Sequence, residues 1–197
     1  MKIKITEKQL EKIKKLIDKF GVKSLGVEPY TLIEYGLIES WDEGDIYLPG
    51  SSIKTLGNLK YVNYGSVNLN RSSIEDLGKL EKVGVHLRLR GTPIESLGVL
   101  KRVGRSLDLS GSKIKDLGDL EYVGRGLYLD GFSISDLGKL KYVGGDLDLE
   151  YTNIKDLGEL EYVGSNLYLL GTPLSETTTE EEIRNKIEIK GKIFLWK

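Results

Sequence analysis

The chain has 197 residues, 39% hydrophobic and 30% charged, with a formal net charge of -1. That length and apolar content suit one domain with ample core, and the near-neutral charge lacks the basic surplus that phosphate neutralisation needs, so nucleic-acid binding is not expected. Without cysteine there is no disulfide framework and no thiolate metal site, and no apolar run is long enough to span a bilayer.

The first stretch, MKIKITEKQLEKIKKLIDKF, has no signal-peptide core, which points to a soluble, cytoplasmic protein. Leu10, Ile13, Leu16, Ile17 and Phe20 recur at spacings of three and four, predicting an amphipathic helix over residues 6–20 with Thr6 as N-cap. Residues 1–43 are read as a helical cap covering the first strand of the adjoining segment. A partner-binding helix would leave the same pattern.

From residue 44 to 175 the chain repeats. A Leu-Gly pair recurs at Leu56, Leu77, Leu97, Leu117, Leu137 and Leu157, first after 21 residues and then every 20. The extra residue falls around Asn63-Tyr64-Gly65. Each unit reads L-x-L-x-x-[ST]-x-I-x-x-L-G-x-L-x-x-V, clearest in LDLSGSKIKDLGDLEYVG from Leu107 to Gly124. Leu107 and Leu109, two apart, share one face of a short strand with Asp108 opposite. Leu117, Leu120 and Val123, three apart, predict a 3₁₀-like or single helical turn, with Gly118 at the bend. Strands are expected at Ile46, Val67, Leu87, Leu107, Leu127, Leu147 and Leu167. One unit holds too little apolar surface to offset the ordering of twenty residues, so units must stack.

Residues 176–197 change character. Thr179 with Glu182 three residues on is a capping-box signature. Ile189, Ile193 and Leu195 repeat the spacing of Val163, Leu167 and Leu169. This segment is read as a C-terminal cap, a helix followed by the last strand of a degenerate unit, within the same structural domain.

The units resemble leucine-rich repeats, which run 20–29 residues with the pattern L-x-x-L-x-L-x-x-N-x-L. The resemblance covers residues 44–175 and departs at the buried Asn, replaced here by Ser51, Ser72, Thr92, Ser112, Thr152 and Thr172, with Phe132 interrupting the column. A hydroxyl at that place can bond the backbone of the turn. The resemblance implies an α/β solenoid with a parallel β-sheet on the concave face, short 3₁₀ or helical turns on the convex side, and capped ends. It also implies protein binding through the concave sheet. The short, glycine-rich form is similar to bacterial and bacteriophage proteins, which would make the partner a sequestered host or defence protein.

Stacked in register, the residues beside each leucine pair form three exposed columns. The candidate partner-binding residues on them are Tyr47, Asn68, His86, Arg88, Arg90, Asp108, Tyr128, Asp130, Asp146, Asp148, Glu150 and Tyr168. His86, Arg88 and Arg90 share a strand, the acids lie two to three strands away, and tyrosines interleave, a composition suited to protein interfaces. Asp146, Asp148 and Glu150 raise the alternative of a metal-dependent or acidic-face site that binds or hydrolyses a carbohydrate or other small ligand. Calcium needs six to eight converging oxygens, whereas carboxylates on an open sheet diverge. Cross-strand pairs such as Asp130 and Asp148 could reach glycosidase-like separations, but no pocket is implied. Nucleic-acid binding through Arg88 and Arg90 is a further alternative, and a solvated face is the plainest.

A second stripe, Tyr61, Tyr122, Tyr142 and Tyr162, precedes the valine of its units along the loop edge and competes as a secondary binding edge, with rings simply packed on one another as the plainer reading. One histidine, no cysteine, and no G-x-S-x-G or phosphate-loop setting leave no enzyme signature. The expectation is a non-enzymatic protein-binding module without cofactor or metal, with a monomer favoured.

Overall fold

Each unit extends twice, and successive units hydrogen-bond at both places. The computed structural model describes residues 8, 11, 15, 29–34, 36, 38–42, 44–129 and 134–195. Lys8, Glu11 and Lys15 are helical, within the helix expected over residues 6–20, whereas Thr6, Leu10, Ile13, Leu16, Ile17 and Phe20 lie outside the described residues, as does Phe132.

A short helix α1 (Pro29–Glu34) precedes β1 (Ser40–Trp41), β2 (Ile46–Tyr47), β3 (Tyr61–Val62) and β4 (Val67–Asn68). Then come β5 (Lys82–Val83), β6 (Leu87–Arg88), β7 (Arg102–Val103), β8 (Leu107–Asp108), β9 (Tyr122–Val123) and β10 (Leu127–Tyr128). β11 (Tyr142–Val143), β12 (Leu147–Asp148), β13 (Tyr162–Val163) and β14 (Leu167–Tyr168) complete the regular units. Helices α2 (Pro173–Thr177) and α3 (Glu180–Arg184) lead into β15 (Glu188–Ile189) and β16 (Ile193–Phe194). Odd-numbered strands form one eight-stranded parallel sheet and even-numbered strands another, both in sequence order. The result is a parallel β-solenoid with few helices.

The strands expected from the Leu-x-Leu pairs are the even-numbered ones, here called the leucine sheet. Ile46, Val67, Leu87, Leu107, Leu127, Leu147 and Leu167 are fully buried on its inner side. The odd-numbered strands, the valine sheet, bury Val62, Val83, Val103, Val123, Val143 and Val163 just as completely. Leucine and isoleucine columns from the connecting turns fill the space between, so one apolar core runs along the axis.

Two turns close each coil. After the leucine strand, the Ser112 N–H donates to the Leu109 carbonyl at 3.0 Å. Four hydroxyls of this column bond the turn backbone as their position predicts, whereas Ser112 Oγ is buried without a hydrogen-bond partner among the described residues. Thr92, Thr152 and Thr172 donate to the carbonyls of Leu89, Leu149 and Leu169 at 2.7, 2.7 and 2.8 Å, and Ser51 to Leu48 at 2.8 Å. Ser72 instead accepts the Ile74 N–H at 3.4 Å.

At the second turn the Leu120 N–H donates to the Leu117 carbonyl at 3.2 Å, with Gly118 at φ +58, a left-handed conformation that glycine adopts without steric penalty. Asp116 Oδ1 accepts the Gly118 N–H at 2.7 Å. Asp76, Asp136 and Asp156 serve their own glycines in the same way, as do the hydroxyls of Thr55 and Ser96.

The three-residue spacing predicts a helical turn on this side. The chain instead makes a single β-turn and then extends as a second sheet. Extension lets the Glu121 N–H reach the Lys101 carbonyl at 3.0 Å and the Gly124 N–H reach the Val103 carbonyl at 2.9 Å. Each coil thereby satisfies its backbone on its neighbour, which a lone helical turn could not do.

At the C-terminal end the capping box forms as its sequence indicates. The Glu182 N–H donates to Thr179 Oγ1 at 3.2 Å, and the Thr179 N–H to Glu182 Oε2 at 2.8 Å. Ile189 pairs in register with Val163, and Ile193 with Leu167, as the spacing predicts. Arg184 of α3 ties the helix to this coil by donating to the carbonyls of Ile189 and Gly191, both at 2.8 Å.

Coils approach closely at Gly84, Gly104, Gly124, Gly144 and Gly164, the glycines that follow valines of the valine sheet. A Cβ on Gly104 would fall inside the van der Waals shell of the Gly84 carbonyl oxygen in the preceding coil. Gly104→Ala is expected to lower stability by about 3 kcal/mol or more, because backbone rather than a movable side chain must yield. Urea unfolding measures this, and an unchanged midpoint would contradict the stacking.

Candidate functional site

The exposed side of the leucine sheet gathers most of the residues singled out by sequence. Strand register places Tyr47, Asn68, Arg88, Asp108, Tyr128, Asp148 and Tyr168 in one unbroken column. His86 and Asp146 lie one residue before their strands, and Arg90 and Glu150 lie in the turns just after. Asp130 lies outside the described residues.

Phe194 extends the column and was not among the sequence candidates. Its ring stacks on Tyr168 with centroids 4.7 Å apart and planes within 1°. The signal was present, since aligning Ile193 with Leu167 puts Phe194 beside Tyr168.

The flanking polar groups have structural work that their sequence positions do not reveal. Asp146 Oδ1 accepts the Asn166 N–H of the next coil at 2.9 Å, and Asp45 Oδ1 accepts the Ser66 N–H at 2.6 Å. Asn166 Oδ1 and His86 Nδ1 repeat the contact with Lys192 and Ser106 at 2.9 and 3.3 Å. Asp108 and Asp148 accept N–H groups two residues ahead on their own chain, from Ser110 at 3.0 Å and Glu150 at 3.1 Å. The row Asp146, Asp148, Glu150 is thus partly a set of backbone acceptors.

Burial and neighbouring carboxylates shape the titration of this face. Glu150 is raised above the usual carboxylate range by burial and then by Asp148. The Tyr128 phenol is raised by burial and then by Asp146, Asp108 and Asp148, so three acids surround one ring. That ring lies back over Gly126, which has no side chain to displace it. Among the described residues no group of three or more His, Cys, Asp or Glu could hold a metal ion. No described helix is long and apolar enough to cross a membrane.

The second tyrosine stripe sits on the valine sheet rather than on a loop edge. Tyr122, Tyr142 and Tyr162 stack in sequence with centroids 4.7 Å apart and planes within 5°, and the Arg102 guanidinium caps the stack 3.6 Å from the Tyr122 centroid. Beside it, charge alternates coil by coil through Glu39, Lys60, Glu81, Lys101, Glu121, Lys141 and Glu161. Lys60 reaches Glu39 at 3.0 Å and Lys101 reaches Glu81 at 3.3 Å. Such exposed pairs contribute little individually, but like charges directly opposite would repel.

A depression of about 200 Å³ lies between Leu157, Leu160, the α3 side chain Ile183 and Ile187 just beyond that helix. Its carboxylates already serve as turn and helix caps, Asp156 for Gly158 and Glu182 for Thr179, so it offers no converging chemistry. Comparison of the chain with protein-family models, with curated proteins and with solved structures finds no match in any of the three.

The single histidine gives this face a clean titration. His86 is held below its ordinary pKa of 6.5 by burial, then by Arg88, Arg105 and Arg125, with Asp45 opposing. Its Nδ1 can accept the Ser106 N–H only while the ring is neutral. Because the folded pKa is below the unfolded one, the unfolded chain binds the proton more readily. Stability is therefore full above about pH 6.5 and falls as pH drops toward the folded value. The urea midpoint should decline as pH falls below about 6.5, and His86→Ser, which copies Ser66 and Ser106 of this column, should flatten that step. An equal decline in the variant would contradict this.

Proposed function

We propose that this chain is a non-catalytic module of leucine-rich-repeat type that binds another protein across the exposed face of its leucine sheet. The observation that carries the reading is the central column of that face. Tyr47, Tyr128 and Phe194 are 70%, 37% and 40% exposed, on strands whose inner side chains, apart from the last coil, are fully buried. Aromatic side chains on a rigid scaffold lose little conformational freedom on binding and are favoured interface anchors. Arg88 toward one end and the acids toward the other would orient a partner. The leucine-rich-repeat assignment rests on the Leu-x-Leu strands and the hydroxyl-closed turns after them. In this reading residues 1–43 and 176–197 cap the ends, and the leucine-sheet face is the concave one.

The test is affinity capture with the wild type beside a Tyr47→Ala, Arg88→Glu, Tyr128→Ala variant, both first shown to melt cooperatively. These side chains all point away from the core, so the variant should fold. A protein retained by the wild type and lost by the variant is the expected result. Equal retention would move the interface to the valine sheet or the chain ends and overturn the proposal.

A further inference from the structure

We propose that the leucine-sheet face takes a basic, proline-rich segment in polyproline II conformation, laid along the central column across the strands. This rests on the reading of that face as a protein-docking surface and names the chemistry of its partner. The column alternates acid and ring in register: Asp108, Tyr128, Asp148, Tyr168. Phe194 then closes the row against Tyr168.

The rise per coil is read from the stacked rings, 4.7 Å apart on both sheets. From Asp108 to Tyr168 like groups therefore recur every two coils, about 9.4 Å. A polyproline II segment advances about 3.1 Å per residue with three residues per turn, returning to the same face every ~9.3 Å. Ligand and surface stay in step over the whole row. An extended strand returns every ~6.8 Å and an α-helix every ~5.4 Å, so both drift out of step within two coils.

Chemistry selects the side chains. Asp148 is a short residue in register between Tyr128 and Tyr168, so a lysine or arginine arriving there meets a carboxylate with a tyrosine on the strand to either side, and a charge-assisted contact forms. Asp108 repeats the acid one ligand turn away. Both carboxylates are pinned by backbone N–H groups, so they need little ordering when the ligand arrives. Prolines at the intervening positions meet the aromatic members of the row, and the preformed ligand helix adds little entropic cost. Arg88, in register beside Asp108, ends the run that favours cations.

Fluorescence anisotropy with the full chain tests this. The probe is a labelled peptide of four Lys-Pro-Pro triplets, compared with a peptide of identical composition whose lysines are contiguous. The triplet peptide should bind about tenfold more tightly, and Asp108→Asn with Asp148→Asn should weaken it by about tenfold or more, the loss expected for charge-assisted contacts. Asparagine keeps the side-chain oxygen that accepts the backbone N–H, so the variant should fold, which a thermal melt checks. Equal affinity for the two peptides, or binding of neither, would overturn the proposal. A partner captured through this face but lacking a basic proline-rich segment would overturn it while leaving the docking surface intact. Capture insensitive to the face would instead remove the docking surface itself.

Discussion

Peptide groups of neighbouring coils hydrogen-bond directly along both sheets, with further bridges at Thr55–Asp76 and Ser96–Asp116, and all of these places must advance by the same 4.7 Å seen in the stacked rings. The rest of the fold depends on that shared rise. A coil can neither grow nor shrink between its sheets without losing one ladder, which is why the Leu-Gly period holds at 20 residues. The single extra residue is absorbed in the turn around Asn63 and Tyr64, between β3 and β4. Buried leucine and valine columns keep the coils in contact, and glycines such as Gly104 let backbone approach backbone.

The same rise converts sequence into columns, and columns carry both stability and recognition. Alternating signs beside the valine sheet place unlike charges over each other and would set like charges together if a coil slipped by one unit. The tyrosine stack there covers the glycine column, so its rings have a packing role independent of any ligand. The leucine sheet differs. Its central rings alternate with charges instead of stacking continuously, and the acids beside them are held by backbone. A face built in this way is rigid, chemically varied and periodic, and those three properties underlie the proposed docking of a protein segment.

Much of this architecture is legible in the residues alone. Leu107, Leu109 and their equivalents announce a strand, and the hydroxyl column announces the turn after it. Thr179 with Glu182 announces the last helix start. Two features are hidden, for physical reasons. The valine sheet has strands of only two residues, and Leu117, Leu120 and Val123 carry the three-residue spacing of a helical turn; only the neighbouring coil's carbonyls decide for extension. The roles of Asp146 and His86 are hidden for a related reason. Alternation shows which side of a strand a residue occupies, but not that the next coil presents an N–H to it. Tyr122, Tyr142 and Tyr162 are recognisable as a stack, yet their place on a sheet is not, because a Tyr-Val pair is too short to show a period.

Disulfide trapping tests the stacking register most directly, since the chain has no cysteine of its own. Tyr122→Cys with Tyr142→Cys joins positions that are register partners on the valine sheet, within the Cα reach of about 4.4–6.8 Å that a disulfide needs. Tyr122→Cys with Tyr162→Cys places the thiols two coils apart, about 9.4 Å. The two-sheet solenoid predicts rapid, quantitative bridging of the first pair under mild oxidation and none within the monomer for the second. Failure of the first pair, or equal bridging of both, would contradict that solenoid and the columns derived from it.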